Sequence, residues 1–230
     1  MASYAVVEQT ADYLIIDKAP GVSVHRDQDD TGLLQQISAE LHCGSLYLVH
    51  RLDKMTSGLL ILACHAQAAA YLSRQFQAKT VEKYYLALSD QKPRKKQGLI
   101  KGDMERSRRG SWKLTTGQKN PAMTRFFSCS PEPGIRLFLL RPFTGKTHQL
   151  RVALKSIGAA ILGDQRYHRV ADAGIERGYL HAWVIAFEWQ GERREYRCDP
   201  TVGELFLLPS VRQQLEQWAP PSRLAWPASS

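Results

Sequence analysis

Leu46-Tyr47-Leu48-Val49-His50-Arg51-Leu52-Asp53-Lys54-Met55-Thr56-Ser57-Gly58-Leu59-Leu60-Ile61-Leu62-Ala63-Cys64 is two apolar runs around one short polar insert. The flanking runs have the length and side-chain type of buried strands. The insert holds an imidazole, a guanidinium, a carboxylate, an ammonium and two hydroxyls. Functional groups gather on loops carried by rigid scaffolds, so Asp53 is the candidate catalytic group.

Upstream of it, Ala5-Val6-Val7 and Tyr13-Leu14-Ile15-Ile16 read as short strands. Lys18-Ala19-Pro20-Gly21 reads as a turn leading into an extended piece over Val22 to His25. Leu33, Leu34, Ile37 and Leu41 have the spacing of an amphipathic helix over 32–42, and 66–77 repeats it with Leu72 and Phe76 inward. Strand character returns at 81–88, 122–129 and 135–140, and a last pair, 179–189 and 193–198, meets at a Gln190-Gly191-Glu192 hairpin. A short helix follows at 211–218, and the Pro/Ser-rich residues 219–230 read as a loose tail. With no repeat and no linker, the pattern predicts one α+β domain over 1–218. Its expected core is a large mixed, mostly antiparallel sheet flanked by helices and loops.

At 230 residues the chain can hide roughly 70% of its unfolded surface. Residues 1–10 lack Lys and Arg and do not read as a secretory signal. No apolar run approaches the ~18 residues that span a bilayer. The four cysteines form no CxxC pair, which speaks against a disulfide framework or a zinc site and for a cytoplasmic location. A net charge of +9 favours a polyanionic partner. Most of it comes from residues 92–113, with nine basic side chains against two acidic ones. Lys95, Lys96, Arg108 and Arg109 are candidate contacts to an RNA or DNA backbone. The bland alternative is a solvated loop or an edge hairpin charged against aggregation.

A second polar stretch, Thr144-Gly145-Lys146-Thr147-His148-Gln149-Leu150-Arg151-Val152-Ala153-Leu154, reads as a turn feeding a helix with Thr147 as N-cap. Leu150, Leu154 and Ile157 form its apolar stripe. Arg151, one residue past Leu150, is either a surface arginine or a partly buried guanidinium able to hold a carboxylate ionised.

These stretches together resemble the RluA-type RNA pseudouridine synthases. The motifs carrying the resemblance are His50-Arg51-Leu52-Asp53 with Thr56–Leu60, Ile16–Gly21, Lys83-Tyr84-Tyr85-Leu86-Ala87, Thr144–Arg151 and Ile161-Leu162-Gly163-Asp164. They run in order over nearly the whole chain. Asp17 stands where the family usually has Asn, Lys146 where Arg is commoner, and Ala159-Ala160 where His-Pro is common. Only about a dozen residues precede the first motif, so no S4-type RNA-binding domain is expected before it.

The resemblance implies isomerisation of uridine in rRNA or tRNA to pseudouridine, with no cofactor and no metal, by a cytoplasmic monomer. It implies Asp53 as the catalytic carboxylate, acting as nucleophile or as base on the sugar, and Arg151 as its ion-pair partner. Tyr85 would stack on the uracil, Arg51 would fill the gap left by the extruded base, and Leu150 would pack under the base. His50, Thr56 and Lys83 complete the expected substrate contacts, although His50 also suits a structural role. Two rivals remain: a non-catalytic RNA-binding protein using residues 92–113, and a metal-dependent nuclease, which would need clustered carboxylates.

Overall fold

The computed structural model describes residues 2–24, 32–168 and 174–227, with the side chain of Arg109 outside that description. In chain order the strands and helices are β1 (Tyr4–Gln9), β2 (Tyr13–Lys18), α1 (Leu33–Leu41), β3 (Tyr47–Leu48), β4 (Ser57–Ala63), α2 (Ala66–Ala78), β5 (Glu82–Ser89) and β6 (Gln97–Arg106). There follow β7 (Trp112–Thr115), β8 (Ala122–Glu132), β9 (Ile135–Pro142), α3 (Gln149–Ser156), β10 (Leu180–Trp189), β11 (Glu192–Arg197) and α4 (Pro209–Trp218). They form two compact units, residues 1–82 with 181–199 and residues 83–180 with 200–230.

The first unit orders its strands β1-β2-β4-β10, with β11 on β10 and β3 on β4. Pairing is antiparallel except for β4 with β10, which run parallel at Ser57↔His181 and Gly58↔Ala182. All seven residues of β4 are buried, as a strand covered on both faces requires. In register, Leu60 faces Ile16 and Ile61 faces Ile15 across β2, all four fully buried. Each such side chain contributes about 1.5–3 kcal/mol relative to exposure, so this strand makes the polar loop before it rigid at one end.

The second unit orders β5-β9-β8-β6-β7, antiparallel throughout. Its core includes Leu86, Leu88, Phe126, Phe138 and Leu140. The α+β class and the mixed, mostly antiparallel pairing match the expectation from sequence. Within the basic segment, residues 97–106 and 112–115 form the β6–β7 hairpin at the end of that strand order.

Residues 22–24 of the expected extended piece belong to no strand, and its last residue, His25, lies outside the described residues. Two other local expectations differ from the structure. Helix α3 starts from His148, in the left-handed conformation at φ 57°, and not from a Thr147 cap. The reason is Gln149: its Oε1 accepts from Thr144 Oγ1 (2.7 Å) and the Lys146 amide (3.1 Å), while its Nε2 donates to Met123 O (3.1 Å) and Thr124 Oγ1 (3.0 Å). One buried amide ties the turn to β8, and that tie sets where the helix can begin. At the C-terminus, residues 221–223 make a 3₁₀ turn, and the Trp226 ring packs on Phe127 (4.9 Å) and Tyr84 (5.8 Å).

Candidate active site

The loop bearing Asp53 is anchored along its length by backbone and side-chain contacts within the first unit. Lys18, with no exposed surface, donates its ammonium to Ala19 O (2.8 Å), Val22 O (2.8 Å) and Lys54 O (3.4 Å). A buried ammonium needs such partners to offset its lost hydration. The Gly21 amide also donates to Lys54 O at 2.8 Å, from a φ of 79° that favours glycine. The Pro-Gly turn thus clamps the loop one residue beyond Asp53. The Thr56 amide donates to Asp53 O (2.9 Å), closing a tight turn over Asp53 to Thr56.

At the loop's far end, Ser57 Oγ and His181 Nδ1 are 2.8 Å apart, both side chains buried. His181 Nε2 lies 2.7 Å from Cys198 O, which can only accept. That contact requires a proton on Nε2. Burial first, then the Asp17 carboxylate, push the Cys198 thiol up to about 12, so it stays protonated. Gly58, at φ 102°, passes so close to β10 that a Cβ there would stand 2.3 Å from Ala182 O. Gly58→Ala is therefore expected to destabilise the fold by roughly 2–4 kcal/mol, read by urea denaturation, through strain and overpacking together. A loss under about 0.5 kcal/mol, the range of ordinary surface changes, would show that the strands can part to admit a methyl.

Between these anchors Asp53 is partly exposed and Arg51 exposed, while Thr56 is buried. His50 accepts the Ile61 amide on Nε2 (2.9 Å) and stacks on Phe76 (4.5 Å, 17°), contacts that support its structural role.

In the second unit, Arg151 and Asp164 form a two-point ion pair, Nε to Oδ2 at 2.7 Å and Nη2 to Oδ1 at 2.9 Å. Arg151 is 8% exposed and Asp164 0%. The bidentate match of planar groups gives this pair its geometric definition. Asp164 Oδ1 also accepts the amides of Arg166 (3.0 Å) and Tyr167 (3.2 Å), and the guanidinium lies over the Tyr167 ring at 5.1 Å. Of the two sequence readings of Arg151, the buried one holds. Asp164 is the site residue that sequence reasoning left without a role. The available signal was a carboxylate one glycine past the apolar run Ala159–Leu162.

Tyr85 and Lys83 share one face of β5, opposite Tyr84 and Leu86. Tyr85 pairs with Leu140 and is partly exposed; Lys83 is buried, and desolvation lowers its pKa. Leu150 is buried at the start of α3. Lys95 and Lys96 are exposed just before β6, and Arg108 is exposed in the 3₁₀ turn between β6 and β7. Among the described residues no three His, Cys, Asp or Glu side chains cluster as metal ligands, and no helix is long and apolar enough to cross a membrane.

Residues 12–156 match the model of the RNA pseudouridylate synthase family. The chain is 50% identical, over 92% of its length and 94% of the relative's, to a Haemophilus influenzae protein named as an uncharacterized RNA pseudouridine synthase. It is 31% identical to ribosomal large subunit pseudouridine synthase C of Vibrio vulnificus, over 83% of this chain and 63% of that one. The solved structure of human RNA pseudouridylate synthase domain containing 1 aligns over 99% of this chain and 97% of its own, with a TM-score of 0.76 at 24% identity. This chain belongs to the RNA pseudouridylate synthase family, and its members are isomerases of RluA type.

Proposed function

We propose that this protein isomerises uridine to pseudouridine in ribosomal RNA, or in tRNA, with Asp53 as the catalytic carboxylate. The observation that carries this is the clamping of the Asp53 loop from both sides by Lys18, Gly21 and the Ser57–His181 contact, in a chain of this family. Pre-set backbone lets a carboxylate meet developing charge without reorganising.

The reaction breaks the N1–C1′ bond, turns the uracil and joins C5 to C1′; C5 loses its proton and N1 gains one, so no electrons or groups need to be supplied. Asp53 attacks C1′ or takes a proton from the sugar. A single carboxylate suffices because no water has to be delivered, unlike in glycosidases. By the family resemblance, Arg151 is the residue assigned as partner of Asp53. Tyr85 stacks on the uracil, Leu150 packs beneath it, and Arg51 enters the gap in the RNA stack. The protein acts as a cytoplasmic monomer. The large ribosomal subunit is the first substrate to test, because the Vibrio relative's name specifies it.

The test uses transcripts of large-subunit rRNA, small-subunit rRNA and tRNA labelled with tritium at C5 of uridine. Release of label from the large-subunit transcript is expected, and no release from any of them refutes the proposal. A second prediction concerns the basic segment. Changing Lys95, Lys96, Arg108 and Arg109 together to Gln should weaken binding and reduce the slope of log K against log salt by roughly 3, one counterion per lost phosphate contact. An unaltered slope would place that segment away from the RNA.

A further inference from the structure

Among the described residues, the distal half of the β6–β7 hairpin has no sheet neighbour beyond itself. Residues 97–102 of β6 pair with β8, whereas 103–106 pair, among the described residues, with 112–115 of β7 alone. A two-stranded ribbon is marginal in water, so something must hold this one. At its base, Asp103 accepts the amides of Lys119 (3.0 Å) and Asn120 (2.9 Å). At its tip, the first residue of β7 donates outward: the Trp112 amide reaches the Tyr167 hydroxyl at 2.8 Å.

Tyr167 is 2% exposed and contacts three elements at once. Its hydroxyl also exchanges a 3.0 Å hydrogen bond with His148 Nδ1, at the head of α3. Its ring lies under two cations, Arg151 (5.1 Å) and Lys155 (5.2 Å), and its amide donates to Asp164. Burial raises its pKa, which keeps the hydroxyl protonated. The tip so held displays Arg106, lying over Trp112 at 5.7 Å, and Arg108, both exposed.

We propose that Tyr167 is a positioning residue whose hydroxyl holds the basic hairpin tip in register with Arg151, so that RNA gripped by the tip is presented to the site. The inference rests on the proposed RNA contact of the basic segment. It assigns Tyr167 to RNA capture, not to bond making.

Tyr167→Phe keeps the ring under Arg151 and removes one oxygen. It should raise the Kd for the large-subunit rRNA transcript, by filter binding, about fivefold, the value of one hydrogen bond. It should also raise KM in label release while the saturating rate changes less than about twofold. Hydrogen exchange over residues 106–115 should accelerate, and this needs no RNA, so it holds or fails apart from the enzymatic reading. In an Arg106→Gln/Arg108→Gln background the hydroxyl should no longer matter, and Tyr167→Phe should change Kd by less than about twofold. Unchanged hairpin exchange overturns the proposal. So does a full fivefold loss in the tip-neutral background, or a saturating rate that falls while KM stays constant.

Discussion

Asp53→Asn is expected to lower pseudouridine formation at least ~10³-fold, about 4 kcal/mol of transition-state stabilisation. The change is nearly isosteric, and the anchors of the loop are backbone atoms: Asp53 O receives the Thr56 amide, and Lys54 O receives Lys18 and the Gly21 amide. The loop therefore keeps its shape, and affinity for RNA should stay within about twofold. On the proposed mechanism only the negative charge that meets C1′ is lost, and an amide neither attacks the sugar nor accepts its proton. Label release under single-turnover conditions, paired with filter binding, separates the two effects. A variant retaining a tenth of the activity would move catalysis to another residue.

The second large effect is on stability. Arg151→Met removes both hydrogen bonds to a carboxylate with no exposed surface, and an orphaned buried charge costs about 3–5 kcal/mol. Adding Asp164→Asn should recover about 1–3 kcal/mol of that loss. The amide carries no charge, yet its oxygen can still accept from the Arg166 and Tyr167 amides as Oδ1 does. Activity should stay lost in both variants, because the partner proposed for Asp53 is absent from both. Urea denaturation reads the first part and label release the second. A double variant no more stable than Arg151→Met would mean that the pair holds the turn by geometry, not by charge compensation.

What was legible in the sequence follows the hydrophobic pattern closely. The run Leu59–Cys64 announced a buried strand, and β4 is buried from end to end because β2 and β10 flank it. Strands β5, β9 and β10 were legible for the same reason. Strands β6 and β7 were harder, since Gln97–Arg106 carries two glycines and alternates weakly; its pairing is fixed by β8 and by the cap at Asp103. Of the proposed site, Asp53 stood out in the sequence as a loop carboxylate, and the burial of Arg151 was one of its two readings. The Arg151–Asp164 pair was not legible, because it joins side chains 13 residues apart through a turn at Gly163, where a Cβ would stand 2.0 Å from Arg177 O. Lys18 was legible as part of a turn, but its full burial depends on three carbonyls that converge only in the folded chain. The start of α3 escaped a rule based on capping hydroxyls because a buried glutamine sets it.

The most direct measurement of the central claim compares the native protein with Asp53→Asn on large-subunit rRNA labelled with tritium at C5 of uridine. The native protein is predicted to release one tritium for each pseudouridine that appears on nucleoside analysis, and Asp53→Asn to bind the same RNA and release none. Equal release by both proteins, or no pseudouridine from the native protein on any uridine-containing RNA, would contradict it.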